Sequence, residues 1–291
     1  MRTAQGALRG NTGDPLKLVL FFALVTGAAV AILFTVFPQW DLAITGLFWD
    51  AGSRSFQVAA SPLGKMLRSA GNIIPWLFAG PAFAAIILKL LFPRAPMFMS
   101  ARAALLLALS MALAPGLLVN AVLKEHWGRP RPVHVETFGG KDVFSPWYST
   151  DGTCPGNCSF VSGEGSLGFW MLAPASLAPA SVRPVAVGAA LAFGMAAGGL
   201  RIAFGGHFFT DTVFSALLTI LVIVGLRWLI YDRKGALSSA TLEGGIGRLG
   251  FTLNALLLAL TRALWWVSRT AMRKIAHALR ALPLPWRRSG L

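Results

Sequence analysis

Three polar stretches stand out against an apolar background: Lys124–Pro132 (KEHWGRPRP), Cys158–Ser166 (CSFVSGEGS) and Leu200–Asp211 (LRIAFGGHFFTD). Lys124, Arg131 and Arg201 supply cations suited to a dianionic phosphate, since arginine presents planar paired donors and lysine a point charge. Ser162-Gly163 precedes an apolar run and so opens a helix, whose unpaired N–H groups and dipole favour an anion. Gly205-Gly206 allows a tight turn just before His207. His207 and Asp211 are four residues apart, hence on one face of a helix start. An aspartate so placed can hold one imidazole N–H, fix the tautomer and stabilise an imidazolium. The other ring nitrogen can then attack phosphorus in line. The cations would offset charge on the equatorial oxygens, the main way in which phosphoryl transfer is catalysed.

These groups need a frame, and composition supplies one. Hydrophobic residues make up 55% of the 291, charged residues only 13%, and mean hydropathy is +0.65. A soluble domain carries about twice that charge fraction. Apolar runs over 16–37, 72–92, 103–123, 163–180, 184–200 and 208–230 approach the roughly 20 residues that cross a bilayer. The expected fold is all-α, a polytopic membrane protein whose six transmembrane helices form one embedded bundle. Pro75, Pro81, Pro115, Pro174 and Pro179 fall inside the runs, where neighbouring helices and hydroxyls can take up freed carbonyls. The first run is long for a cleaved signal peptide and ends without a small-x-small site, so it reads as a retained span.

If the spans alternate, Arg2, Arg9, Arg94, Arg102, Arg183, Arg227, Arg233 and Lys234 share one side, which the positive-inside rule makes cytoplasmic. Loops 38–71, 124–162 and 201–207 then face outward and bring the polar stretches to one depth. Lys124, Arg129, Arg131 and Arg201 break the rule there and need another reason. For Arg129 a snorkelling anchor stands beside a functional reading. In the tail, Leu253–Leu260 is apolar, but Asn254 and Arg262 interrupt it as a seventh span. Arg262, Arg269, Arg273 and Arg280 share one helical face, opposite Leu260, Leu264, Val267, Ala271 and Ile275, and Trp265-Trp266 suit interfacial depth. The tail therefore reads as a basic amphipathic helix on the inner leaflet, partnered by anionic lipids. The net charge of +15 has the same origin; no nucleic-acid-reading motif accompanies it, and no nucleic-acid partner is expected. Trp40–Trp49 reads as a shorter helix on the outer face, beginning near Asp41.

The chain's two cysteines, Cys154 and Cys158, lie in one polar loop as CPGNC. That spacing fits neither a redox pair nor a zinc site. On the outer side it favours a small disulfide, with two free thiols as the alternative. Outward carboxylates lack ligand-like spacing with a histidine, so no metal or other cofactor is expected and cations must neutralise the phosphate. His126 and His134 read as solvated loop residues, although His134 could reach the site, and His277 as interfacial. Phe208, Phe209, Trp127 and Trp147 read as membrane-interface aromatics.

The spacings Lys-x6-Arg-Pro (Lys124, Arg131, Pro132) and Arg-x5-His-x3-Asp (Arg201, His207, Asp211) resemble the first and third signatures of the type 2 phosphatidic acid phosphatase superfamily. The resemblance covers roughly residues 70–230, helix order included. It implies a six-helix bundle with a metal-free site at the membrane surface. His207 would be the nucleophile that becomes phosphohistidine, with Asp211 as its partner. Lys124, Arg131, Arg201 and the Ser162-Gly163 turn would hold phosphate. Two departures stand out. Leu200 replaces the serine before the arginine, and the second signature, usually Pro-Ser-Gly-His, reads Val161-Ser162-Gly163-Glu164. Glu164 thus occupies the place of the general-acid histidine.

The organisation implied is a cytoplasmic segment 1–15, a membrane phosphatase domain 16–232 and a basic cytoplasmic tail 233–291, in a bacterial inner membrane with the site facing the periplasm. The substrate expected is a phosphorylated membrane lipid. The long outer loop 125–160 resembles that of bacterial lipid A phosphatases, with undecaprenyl diphosphate, phosphatidylglycerophosphate and phosphatidic acid as alternatives. A lipid carrier would use the same cations without needing the His207–Asp211 pair. A vanadate-dependent oxidase shares the family resemblance, but its chemistry suits soluble sites better.

Overall fold

The computed structural model describes residues 14–281, with side chains through Leu279. Arg2 and Arg9 of the expected N-terminal segment, and Arg287 and Arg288 of the tail, lie outside these residues, as does the side chain of Arg280.

Asp14 begins the first helix by accepting the Leu16 N–H at 3.1 Å, with Pro15 in the first turn, where a missing N–H costs nothing. This helix, α1 (Pro15–Val36), leads into α2 (Gln39–Gly46). An antiparallel hairpin follows, β1 (Trp49–Asp50) and β2 (Ser55–Phe56), and then the single turn α3 (Gln57–Ala60). The second span, α4 (Pro62–Leu91), starts well before the predicted 72. Ser61 caps it by accepting the Gly64 N–H at 2.9 Å, and the early turns carry Lys65 and Arg68, which an apolar run does not detect. The third span joins α5 (Ala101–Met111), π-helical turns over Ala112–Leu123 and α6 (Lys124–His126). Within the π stretch, the Asn120 side chain donates to the Pro115 carbonyl at 2.7 Å.

The predicted fourth span, 163–180, is not one helix. It divides into α7 (Gly163–Phe169) and α8 (Leu172–Ser176), separated at Trp170-Met171. Glycines in α7 and Pro174 in α8 disfavour a continuous helix. At membrane depth such a break survives only where protein surrounds it. Here α7 packs against α4, α9 and α10, and the fully buried Trp170 donates its indole N–H to Ser110 Oγ at 2.8 Å. A Cβ on Gly168 would stand 3.1 Å from Gly194 Cα in α9, so this pair lets two backbones meet closely.

The remaining spans are α9 (Arg183–Ala203) and α10 (Phe209–Arg227), the latter extended by π-helical turns Trp228–Asp232. The chain continues into α11 (Ser239–Ala281), a helix of 43 residues. Among the described residues, six helices are long and apolar enough to cross a membrane. Five correspond to the predicted first, second, third, fifth and sixth spans; the other is α11, only 6% of whose apolar window is buried. The protein is thus an all-helical polytopic membrane protein, although its six long helices are not the six predicted. Near its start α11 is tied to the opposite end from the polar loops: Glu243 accepts from Lys89 Nζ at 3.1 Å and the Met97 N–H at 2.9 Å. At the loop-rich end, Phe56, Val135, Phe138 and Phe208 form a separate apolar cluster beneath the polar stretches.

Candidate active site

The turn between α9 and α10 sets the central side chain. Gly205 has φ 63°, a left-handed conformation that glycine adopts without penalty, and its carbonyl accepts the Val133 N–H at 3.0 Å. His207 follows, 1% exposed. Its Nδ1 lies 2.7 Å from the Ser159 carbonyl oxygen. A carbonyl only accepts, so Nδ1 carries the proton and Nε2 keeps its lone pair. Among the described residues Nε2 has no hydrogen-bond partner. Burial pulls the imidazole pKa down to about 4, outweighing the Asp211 carboxylate, so the ring is neutral at neutral pH.

Asp211 does not hold the imidazole directly, as its spacing from His207 suggests it should. Its Oδ2 is 3.8 Å from Nδ1 and accepts instead from Ser159 Oγ at 2.5 Å and the Phe208 N–H at 2.8 Å. Occupying the third position of α10, it satisfies a free N–H at the helix start. Its Oδ1 accepts from Arg129 Nη1 at 2.5 Å. Ser159 therefore links the pair: its carbonyl holds the histidine and its hydroxyl holds the aspartate.

Arg129 is no snorkelling anchor. It is 0% exposed, and its guanidinium serves four acceptors. Nε donates to the Ser145 carbonyl at 2.9 Å, Nη1 to Thr210 Oγ1 at 2.8 Å as well as to Asp211, and Nη2 to Asp41 at 2.8 Å. It also lies 4.3 Å over the ring of Phe208, which is buried rather than at the membrane interface. Burial raises the Asp41 pKa above the ordinary carboxylate value, with Arg129 opposing the rise.

Lys124, Arg131 and Arg201 lie within electrostatic range of one another, and Lys124 and Arg201 also act on His207. A Cβ on Gly163 would stand 3.3 Å from Lys124 Nζ, so the ammonium sits over the first turn of α7. Arg131 donates to the Asn157 carbonyl at 2.8 Å and to its side-chain oxygen at 2.6 Å, and burial lowers its pKa from the ordinary arginine value. Arg201 is 4% exposed, and its buried Nε makes no hydrogen bond among the described residues. Ser162 spends its hydroxyl on the Gly165 N–H at 3.1 Å as the cap of α7. Glu164 accepts from Arg68 Nε at 3.0 Å and Nη2 at 2.7 Å, and stands 3.5 Å from Arg201 Nε. Cys154 and Cys158 are disulfide-bonded, which closes the loop that carries Asn157. His126 and His134 are exposed, and neither joins the cluster.

Sequence reasoning missed Arg68, Asp41, Thr210 and Ser159 as members of this cluster. Arg68 had a usable signal, since it is a cation one turn before an apolar run. The others act through buried hydrogen bonds between distant segments, for which spacing gives no cue.

Residues 103–235 match the PAP2 superfamily. The chain is 33% identical over 224 residues to "Lipid A 4'-phosphatase" from Francisella tularensis subsp. novicida, covering 73% of this chain and 98% of that protein. A protein of the same name from Rhizobium etli is 32% identical over 226 residues, 72% of this chain and 85% of its own. Another from Rhizobium leguminosarum is 40% identical over 118 residues, 40% of this chain and 50% of that protein. No solved structure matches the chain significantly.

The geometry separates two arginines that lie two residues apart. Arg129→Met leaves Asp41 and Asp211 as uncompensated buried charges and should cost about 3–5 kcal/mol of stability. Arg131→Met, with its partner on a solvated loop, should cost less than about 1 kcal/mol. Thermal unfolding of both variants in detergent, beside wild type, checks the contrast; equal losses would contradict it.

Proposed function

Because the chain belongs to the PAP2 superfamily, we propose that it removes a phosphate from lipid A at the periplasmic face of the inner membrane, through a phosphohistidine on His207. That it is a lipid phosphatase follows from the family and its relatives. The observation that carries the mechanism is the Ser159 carbonyl on Nδ1, which leaves the free Nε2 lone pair beside Lys124 and Arg201. The N–P bond forms at Nε2 as the P–O ester bond breaks, and the electron pair leaves on the lipid oxygen, which takes up a proton. Lys124, Arg131 and Arg201 face the charge on the equatorial oxygens. Water then attacks phosphorus, releasing orthophosphate and restoring the imidazole. Lipid A is favoured over the other candidate lipids because all three relatives carry that activity in their names. The basic face of α11, including Arg262, Arg269 and Arg273, would rest on anionic lipids of the inner leaflet.

Glu164 is held by two arginines, which favour its carboxylate over the protonated acid that a donor needs. In this reading it orients Arg201, and the proton taken up by the leaving oxygen comes from another donor such as water.

His207→Ala should abolish release of orthophosphate from lipid A in proteoliposomes while leaving insertion intact, and wild type should keep its full rate in excess chelator. Turnover by the variant would remove the nucleophile; lipid binding without release even by wild type would instead indicate a carrier. Right-side-out spheroplasts should hydrolyse an added membrane-impermeant phosphate ester, whereas hydrolysis only after lysis would reverse the orientation.

The rate should also report the imidazole. Nε2 attacks only when unprotonated, so kcat should hold from neutral pH toward about 5 and decline as pH falls through about 4. A limb near the ordinary histidine value would contradict the buried, neutral ring. Glu164→Gln should slow all leaving groups alike, by about 10-fold or more, if the residue orients Arg201. A loss that grows with leaving-group pKa would instead make it the proton donor.

A further inference from the structure

The superfamily match covers residues 103–235, yet α2, at 39–46, sends one side chain into the catalytic cluster. Asp41 is 1% exposed. Its Oδ2 accepts from Arg129 Nη2 at 2.8 Å and from Thr210 Oγ1 at 2.6 Å, and its Oδ1 accepts the Thr210 N–H at 3.0 Å. The Thr210 hydroxyl accepts from Arg129 Nη1 at 2.8 Å in return. With Nε bound to the Ser145 carbonyl, each nitrogen of the guanidinium has a partner, and the plane cannot turn without breaking several bonds at once. That fixed plane aims Nη1 at Asp211 Oδ1.

We propose that Asp41 is a positioning residue for the phosphatase reaction, acting through Arg129 and Thr210 to hold Asp211, and through Asp211 and Ser159 to hold the ring of His207. The inference rests on His207 being the nucleophile. Asp41 bonds to Arg129 and Thr210 and not to the phosphate-facing cations, so its loss should appear in kcat and not in KM.

The test is Asp41→Asn in the full chain, assayed on lipid A in proteoliposomes. The variant should insert and unfold cooperatively, with kcat reduced about 10- to 100-fold and KM unchanged, the scale expected when a catalytic group is slightly misplaced. The decisive measurement repeats the substitution in an Asp211→Asn background. If Asp41 acts only through Asp211, it adds no further loss to the residual rate there, whereas an independent structural role multiplies the losses. Wild-type kcat in folded D41N, a rise in KM alone, or multiplied losses in the double variant would overturn the proposal. Should D41N fail to insert, Thr210→Val removes only the hydroxyl that joins Asp41 to Arg129. It should lower kcat at constant KM, and an unchanged kcat would overturn the proposal equally. His207→Ala keeps the two readings apart: turnover by that variant ends the histidine mechanism, whereas an inactive His207→Ala beside a fully active D41N ends only the role of Asp41.

Discussion

A single guanidinium held between two buried carboxylates organises the loop-rich end of this protein. Withdrawing such ions from water costs several kcal/mol apiece, so the cluster is stable only if its hydrogen bonding is nearly complete. Arg129 meets that demand by joining segments far apart in sequence: α2 through Asp41, the long loop through the Ser145 carbonyl, and the start of α10 through Thr210 and Asp211. Its own carbonyl accepts the Ser159 N–H at 2.8 Å. Ser159 then holds both His207 and Asp211, and Asp211 returns to Arg129, so the arrangement closes on itself.

The cations on the other side of His207 are held loosely by comparison. Arg131 leans on a solvated loop residue, Asn157, and Arg201 Nε lacks a hydrogen-bond partner among the described residues. An incompletely satisfied donor is costly in a finished structure and useful in a site awaiting an anion. Glu164 fits the same pattern. A histidine in its place could accept from only one neighbour, whereas the carboxylate takes two bonds from Arg68 and stands within 3.5 Å of Arg201. The departure from the superfamily signature thus comes with a partner, Arg68, that lies outside the signature altogether.

What could be read from the sequence follows from which forces act locally. Apolar runs report the five long spans because bilayer crossing is a property of each segment alone. The fourth failed as a single helix because its breaks depend on α9 and α10 surrounding it, which no local pattern records. Likewise, Lys124, Arg131, Arg201, His207 and Asp211 were legible as a group because they sit in two short polar stretches that an apolar background sets apart. Arg129 was left between two readings for a simple reason: one position in the same stretch looks alike whether it points to lipid or to two aspartates. Asp41 could not be assigned at all, since its partners lie 88 and 169 residues away.

The placement of Asp211 explains how one ring can serve as neutral nucleophile and as stable cation. A carboxylate bonded directly to Nδ1–H would raise the imidazole pKa and favour the protonated ring, which cannot attack. Here that bond goes to a neutral carbonyl, and Asp211 stands at 3.8 Å with both oxygens already engaged. Burial and the neighbouring cations can then keep the free ring unprotonated. Once the ring becomes cationic, by bonding to phosphorus, the same separation still gives an attraction on the order of 4 kcal/mol at an effective dielectric of about 20. Hydrogen bonding falls away beyond about 3.5 Å, but Coulomb attraction declines only as the inverse of distance. The direct hydrogen bond is thus withheld from the resting ring, burial and the neighbouring cations offset the Coulomb pull that a protonated ring would feel equally, and that pull remains for the phosphorylated ring.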